Sequence, residues 1–203
     1  MNYQLPHTIT NPIGETLIFK ELVHEPDGDK LLVENYVVPK SGPPMHTHFL
    51  QEEALTVVSG RIGYQVKGSS PQFAGVGETV VFKPGVAHRF WNDGEDILHC
   101  TGHVKPANTI VFYLSSIYAA QNKTGTGQPE KFDGAYLLTR YASEYEMSDL
   151  PAFVKKVIIP ITYHIGRVLG KYKHFRNAPQ PVKSLLHHQE EDQAVRDLQG
   201  ITR

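Results

Sequence analysis

The first half of the chain is divided into short runs of strand-forming residues with no helical pattern between them. Runs such as ETLIFKEL, DKLLVENYVV and ETVVFKPG are rich in β-branched and aromatic residues, which favour strands. Turn-forming segments such as EPDGD, SGPP and NDGED separate these runs. Many short strands at this spacing, up to about residue 105, are typical of a β-sandwich or a β-barrel.

The pattern changes after Pro106, where apolar residues recur at helical spacing. Residues 106–122 predict a first helix, residues 135–147 a second and residues 148–175 a third. Pro160 lies inside the third helix and should kink or split it, because proline cannot donate the backbone hydrogen bond that a helix interior requires.

The sequence therefore predicts three parts. They are a barrel domain over residues 1–106, a helical extension over 107–176 and a polar C-terminal tail over 177–203. The tail contains His187 and His188, which we do not expect to be ligands.

The composition excludes several classes of protein. A formal net charge of −1 gives no electrostatic basis for nucleic-acid binding. The single cysteine excludes an intramolecular disulfide and fits a reducing compartment. The first residues lack the pattern of a secretory signal, and no run reaches the roughly 20 apolar residues of a transmembrane segment. We therefore expect a cytoplasmic protein.

Two histidines stand one residue apart where a strand is expected to begin, in PPMHTHFLQEEALTVVSG. His46 and His48 are at positions i and i+2, so on a strand their imidazoles point to the same face and could reach one ion. Glu52 and Glu53 follow on opposite faces, and either could turn inward. Glu53 shares its face with the bulky Leu55, which favours Glu53.

A second cluster lies in GETVVFKPGVAHRFWN. Val80 and Phe82 alternate before a Pro-Gly turn, and His88 follows, with Phe90 and Asn92 continuing at period two. A turn that reverses the chain and presents His88 inward would supply a third imidazole.

Together these segments resemble the two motifs of the cupin superfamily, and the resemblance covers about residues 15 to 105. The first motif is represented by Gly42, His46, His48, Glu53 and Gly60. The second is represented by Gly77, Gly85, His88 and Asn92. The spacing of the first motif selects Glu53 over Glu52. Two departures from the usual pattern fall at turns and not at ligand positions.

The resemblance implies an all-β jelly-roll barrel, here with an α-helical C-terminal extension, and a divalent metal inside the barrel. It implies four ligands: His46, His48, Glu53 and His88. Three imidazoles and one carboxylate suit Fe, Mn, Ni, Cu, Co or Zn, whereas Mg and Ca prefer oxygen ligands. One carboxylate would leave the bound site with a charge near +1, which favours an anionic or enolate ligand.

Other polar residues of the predicted barrel have two interpretations. Tyr64 is a candidate catalytic residue beside Glu53, with its hydroxyl near the substrate, or it is an aromatic residue of the core. His99 and His103 share one face of their strand and Cys100 lies on the other, so either set could reach the pocket. For His99, His103 and Cys100, the simpler interpretation is that they belong to a packed strand and have no functional role.

Cupins include enzymes, binding modules and storage proteins, so the fold alone does not select a function. We expect a metal-dependent, dioxygenase-like enzyme acting on a small anionic or enolisable molecule, with Glu53 as ligand and proton acceptor. The alternatives are a non-catalytic, small-ligand-binding or sensory cupin, and a sugar-type isomerase using Tyr64.

The third predicted helix combines apolar residues with a basic face. A basic amphipathic helix can lie on an anionic membrane or contact a partner. Packing on its own domain or across a dimer is the commoner case, and we expect a homodimer. The basic residues are Lys155, Lys156, Arg167, Lys171 and Lys173.

Overall fold

A computed structural model describes residues 3–182 of the protein. These residues contain eleven strands, all paired antiparallel, in two sheets. The larger sheet has the order β1-β2-β3-β10-β5-β8 and the smaller the order β11-β4-β9-β6-β7. The strands are β1 (His7–Thr10), β2 (Glu15–Val23), β3 (Lys30–Val37), β4 (His46–His48), β5 (Glu52–Ser59), β6 (Ile62–Val66), β7 (Gln72–Ala74), β8 (Thr79–Phe82), β9 (His88–Asn92), β10 (Leu98–Lys105) and β11 (Tyr145–Met147). The predicted jelly-roll barrel with a helical extension is confirmed.

The strands follow the period-two pattern expected for a sheet with one covered face. In β3, Leu31, Val33, Asn35 and Val37 alternate with more exposed neighbours and are all buried. The same alternation in the paired strand β2 buries Glu15, Leu17 and Phe19. The barrel interior is therefore apolar with isolated polar side chains, which are Glu15 and Asn35 in this region.

The helices are α1 (Ile110–Thr124), α2 (Lys131–Arg140) and α3 (Ile159–Val168). The carboxylate of Glu130 caps α2 by accepting hydrogen bonds from two backbone N–H groups of its first turn at 3.0 Å. Pro160 stands in the first turn of α3, directly after a π-helical stretch over Val154–Ile158. The hydrogen-bond pattern thus changes where the proline removes a donor. Among residues 3–182, no helix has both the length and the apolar character needed to cross a bilayer.

The prediction of a single helix over residues 135–147 is wrong in its second half. Helix α2 ends at Arg140, and residues 145–147 form β11, which pairs antiparallel with β4. In this register Tyr145 lies opposite His48 and Met147 lies opposite His46. The chain segment after the barrel therefore completes the smaller sheet beside the two predicted ligands.

The C-terminal tail is described only over residues 177–182. His187 and His188, which we predicted not to be ligands, lie outside the described residues. The division of the chain at residue 106 stays a prediction, since β11 comes from the extension and belongs to a sheet of the barrel.

A glycine permits a close backbone approach between the two motifs. Gly42 has a φ of 156°, and a Cβ atom added there would lie 2.2 Å from the carbonyl oxygen of Phe90. Because no side chain fits in that space, only glycine allows the segment before β4 to pack against β9. This packing brings the strand of His46 and His48 beside the strand of His88.

A fully buried carboxylate connects the extension to the barrel. Glu144 accepts hydrogen bonds from the Thr109 hydroxyl and the Val182 N–H group, both at 2.9 Å. Its second oxygen accepts from the Gln51 amide at 3.1 Å and the Tyr145 hydroxyl at 3.3 Å. Four donors from separate segments thus satisfy one carboxylate, which holds the start of β11 in place.

Replacing Glu144 with alanine should lower the free energy of unfolding by about 3 kcal/mol or more, because several buried donors lose their charged acceptor together. Urea denaturation followed by circular dichroism measures the change. Glu21→Ala, at an exposed position of β2, is the control and should stay within about 0.5 kcal/mol of the parent protein. Equal losses in the two variants would contradict the structural role of Glu144.

Candidate metal centre

The smaller sheet places three imidazoles together. His46 and His48 lie on β4, and His88 lies on the neighbouring β9, where it is the register partner of His46. The ring centroids of His46 and His88 are 4.5 Å apart, and those of His46 and His48 are 4.9 Å apart. The predicted placement of both histidines of β4 on one side is therefore observed.

The carboxylate comes from the opposite sheet. Glu53 lies on β5, between Val104 of β10 and Phe82 of β8. Its Oε2 atom is 3.0 Å from Nε2 of His88. One ligand atom from each of the four predicted residues, His46, His48, Glu53 and His88, can be chosen so that all lie within 4.8 Å of one another.

The neighbouring acid, Glu52, faces outward, as strand alternation requires. Its carboxylate forms an ion pair with Lys83 at 2.5 Å and lies 3.5 Å from Nε2 of His103. The alternative that Glu52 turns inward is therefore not realised, and Glu53 occupies the inner position.

Hydrogen bonds to the backbone fix the protonation pattern of two imidazoles. Nδ1 of His46 lies 2.8 Å from the carbonyl oxygen of Pro44, and Nδ1 of His88 lies 2.8 Å from that of Val86. Carbonyl oxygens only accept, so each Nδ1 carries the proton. In the neutral ring the Nε2 atom then has a free lone pair, which is the form that binds metal.

This pattern makes the donor set suitable for a divalent transition metal. When Nδ1 of His88 carries the proton, Nε2 of His88 is an acceptor, and so is Oε2 of Glu53. These two atoms are 3.0 Å apart, so a second proton or a cation must lie between them. Two ligand atoms each about 2.1 Å from one ion, at a right angle, are separated by about 3.0 Å. The buried Nδ1 of His48 has no hydrogen-bond partner among the described residues. The four residues therefore fit a metal ion.

The electrostatics of the cluster favour the protonation states that metal binding needs. Burial lowers the pKa of His46 to about 4 and that of His48 to about 3, with a further lowering from the neighbouring imidazoles. Burial alone would raise the pKa of Glu53, but the contact with His88 and the nearby imidazoles outweigh it and lower the pKa to about 2. At neutral pH the cluster holds neutral imidazoles at His46 and His48 and an ionised carboxylate at Glu53.

Three residues of the cluster, His46, His48 and Glu53, line a cavity of about 300 Å³. Leu55, Phe90 and Val104 of the barrel contribute apolar surface to it, and helix α1 covers it with Tyr113 and Tyr118, among other residues. A metal held by the four ligands would therefore face a largely apolar space with room for a small organic molecule.

The other residues singled out in the sequence lie elsewhere. Tyr64 packs its ring edge-on against Phe82, with centroids 6.2 Å apart, and is partly buried against the apolar core of the barrel. It is not among the described residues that line the cavity, and a catalytic role for it stays a prediction. His99 stacks on Tyr36 and contacts Glu34 on the outside of the sheet. Cys100 is buried in the core, and burial raises its pKa to about 12.

Residues after the barrel complete the site, and the sequence analysis missed them. Tyr145 packs edge-on against the ring of His48, with centroids 5.5 Å apart, and stacks on Tyr113 of α1. The segment YEM alternates as a strand does, but three residues are too few to stand out beside an apolar helical pattern.

Comparison with known proteins identifies the barrel. The family model of the cupin domain matches residues 35–102, a range that includes all four candidate ligands. No curated protein matches the chain in sequence.

Several solved structures are similar to part of the chain. One is an uncharacterised conserved protein with a double-stranded β-helix domain from Klebsiella pneumoniae, at 24% identity and a TM-score of 0.38, over 43% of this chain and 70% of that one. Another is a recombinant oxalate oxidase in complex with glycolate, at 18% identity and a TM-score of 0.41, over 49% and 54%. A third is a DMSP lyase from Ruegeria pomeroyi, at 19% identity and a TM-score of 0.34, over 38% of each chain.

The match thus spans about half of the oxalate oxidase chain and less than half of the DMSP lyase chain. The family match over residues 35–102, the two-sheet barrel and the converging histidines and glutamate agree with one another. Residues 35–102 of the chain are therefore a domain of the cupin superfamily.

Proposed function

We propose that the protein is a metal-dependent oxidoreductase of the dioxygenase type that acts on a small anionic or enolisable organic molecule. One observation carries the proposal: the four candidate ligands lie together, and three of them, His46, His48 and Glu53, line a cavity of about 300 Å³. A purely structural metal site has no need of such a cavity, whereas a reacting molecule does.

Within this proposal His46, His48, Glu53 and His88 hold the ion. A bound transition metal acts as a Lewis acid and lowers the pKa of a group that coordinates it. The apolar walls, with Leu55 and Phe90 among them, exclude water and strengthen electrostatic attraction between the site and an anionic molecule.

The pKa of Glu53 favours one of the two roles suggested for this residue, metal ligand and proton acceptor, over the other. A carboxyl group with a pKa of about 2 is a weak base at neutral pH, and efficient general bases have a pKa near the working pH. The structure therefore supports Glu53 as a metal ligand more strongly than as a proton acceptor.

Two alternatives remain distinct from this proposal. A non-catalytic cupin would bind a small ligand in the same cavity and release it unchanged. A sugar-type isomerase would use Tyr64 as an acid, but Tyr64 is not among the described residues that line the cavity, which gives no support to that role.

The predicted cytoplasmic location also remains a proposal, supported by the single buried thiol of Cys100.

Elemental analysis of the purified protein should find about one equivalent of a divalent transition metal. His46→Ala and His88→Ala should each lower the metal content by about tenfold or more, because each removes a ligand from the cluster. His99→Ala is the matched control, since His99 lies on the outside of the barrel, and it should retain the metal. Full metal content in His46→Ala would contradict the proposed centre.

The metal-loaded protein should consume dioxygen in the presence of one class among chelating carboxylates, diketones and flavonols, with product detected by mass spectrometry. His46→Ala should abolish both signals. A ligand that binds stoichiometrically and is recovered unchanged would favour the sensory alternative. Turnover that persists in metal-free His46→Ala would exclude a metal-centred mechanism.

We also propose that a second copy of the chain covers the apolar face of α3, as the expected homodimer requires. Ile161, Ile165 and Val168 lie on this helix and are 48 to 86% exposed, and Phe153 and Leu169 beside it are 63 and 59% exposed. A group of large apolar side chains at this exposure is typical of an interface.

Sedimentation equilibrium at micromolar concentration should show a dimer for the parent chain and a monomer for the Ile161→Lys, Ile165→Lys double variant. Val76→Lys replaces a more exposed apolar residue in the loop between β7 and β8 and should leave the dimer intact. A parent chain that sediments as a monomer would rule out this interface.

A further inference from the structure

Helix α1 contributes one continuous face of its surface to the cavity. Tyr113, Leu114, Ile117, Tyr118 and Gln121 line the cavity, and their recurrence at helical spacing places them on the same side of α1. Both tyrosines are 6% exposed. A buried tyrosine usually hydrogen-bonds its hydroxyl group, so the partner of each hydroxyl indicates what that residue does.

Four side-chain hydroxyl groups belong to described residues that line the cavity, and three of them have partners within the protein. Oγ1 of Thr47 lies 2.8 Å from a serine hydroxyl. The Tyr145 hydroxyl donates to Glu144 at 3.3 Å. The Tyr118 hydroxyl has the carboxyl group of Glu15 as its hydrogen-bonding neighbour. These three hydroxyls therefore have structural partners in the absence of any bound molecule.

The fourth hydroxyl, that of Tyr113, has no hydrogen-bond partner among residues 3–182. The unpaired polar side-chain atoms that the described residues enclose completely do not include this hydroxyl. Part of its oxygen atom therefore borders open space, and the residue lines the cavity. Burial raises the pKa of Tyr113, so the hydroxyl stays protonated at neutral pH and can donate a hydrogen bond.

Ring contacts place Tyr113 near the metal cluster. Its ring stacks on that of Tyr145, with centroids 4.2 Å apart, and Tyr145 packs edge-on against His48, with centroids 5.5 Å apart. Two ring contacts thus connect Tyr113 to a candidate ligand, and all three residues line the same cavity. A small molecule that binds at the metal ligands can therefore also contact the Tyr113 hydroxyl.

The charges of the cavity wall give a free hydroxyl group a use. No lysine or arginine is among the described residues that line the cavity. An oxygen atom of a bound molecule that does not coordinate the metal therefore finds no cationic side chain on this wall. Such an oxygen is costly to bury without a hydrogen-bond donor, and the unpaired hydroxyl of Tyr113 can supply one.

We propose that Tyr113 recognises the substrate, with its hydroxyl donating a hydrogen bond to an oxygen atom outside the metal-binding group of that molecule. The ligand class is thus a small anion that carries a second oxygen acceptor, such as a ketone. The helical extension then contributes to specificity at a site whose metal ligands come from the barrel. This inference rests on the proposed function, because the metal-bound anionic end of the molecule is taken from it.

Tyr113→Phe removes the hydroxyl and keeps the ring that stacks on Tyr145. Because this hydroxyl has no protein partner, the variant should unfold at about the same urea concentration as the parent protein. Tyr141→Phe is the matched control. The Tyr141 hydroxyl donates to the carbonyl oxygen of Pro179 at 2.7 Å, and Tyr141 is not among the described residues that line the cavity. The control should unfold at a lower urea concentration than the parent protein.

Calorimetric titration of the metal-loaded protein measures recognition, with hexanoate and a set of oxohexanoates as probes. The oxohexanoates carry the ketone at different carbons, none of them next to the carboxylate, so that the ketone does not chelate the metal. All probes present the same carboxylate, and a ketone oxygen only accepts hydrogen bonds. At least one oxohexanoate should bind the parent protein about fivefold more tightly than hexanoate. Tyr113→Phe should abolish this preference without changing the affinity for hexanoate, and Tyr141→Phe should keep the preference.

Equal affinity of the parent protein for hexanoate and every oxohexanoate would overturn the role of Tyr113 and leave the metal centre and its anionic ligand standing. The role also fails if Tyr113→Phe keeps the preference or if Tyr141→Phe loses it. A large loss of stability in Tyr113→Phe would show that the hydroxyl has a structural partner, contrary to the inference. If no probe binds, the role of Tyr113 and the anionic substrate class both fail, and the metal-content measurement then tests the centre alone.

Discussion

The pairing of β11 with β4 is the constraint on which the candidate site depends. Strand β4 has only three residues, two of which are predicted ligands, and a short strand at the edge of a sheet would leave unpaired backbone groups. The pairing of residues 145–147 supplies those partners and places Tyr145 against His48. The ligand strand is therefore held by β9 on one side and by the helical extension on the other.

This pairing also explains why the cavity is covered. Between β10 and β11 the chain forms α1 and α2, and residues of both helices line the cavity. Buried Glu144 fixes that return by accepting hydrogen bonds from α1, from the loop after β4 and from residue 182. The extension thus contributes both to the stability of the smaller sheet and to the wall of the cavity, so the barrel and its extension act as one unit at the site.

The sequence predicted the parts of the site that depend on local spacing. His46 and His48 share a face because a strand repeats every two residues, and the same alternation turns Glu53 inward and Glu52 outward. Residues from distant segments were beyond this reasoning. Tyr145 reaches the site through a tertiary pairing that overrides the helical pattern of residues 135–147. The strand position of Tyr64 could not show that its ring packs against the barrel core and does not line the cavity.

Two acids that line the cavity, Glu15 and Glu53, have different electrostatic surroundings. Burial tends to raise the pKa of both Glu15 and Glu53. At Glu53 the nearby imidazoles reverse the shift, and the carboxylate stays ionised beside the histidines. At Glu15 the partners are neutral amides and a tyrosine hydroxyl, the charge of Glu53 adds to the effect of burial, and the pKa stays raised. The surroundings of Glu53 therefore favour the ionised carboxylate that a metal ligand needs, whereas burial and the charge of Glu53 oppose ionisation of Glu15.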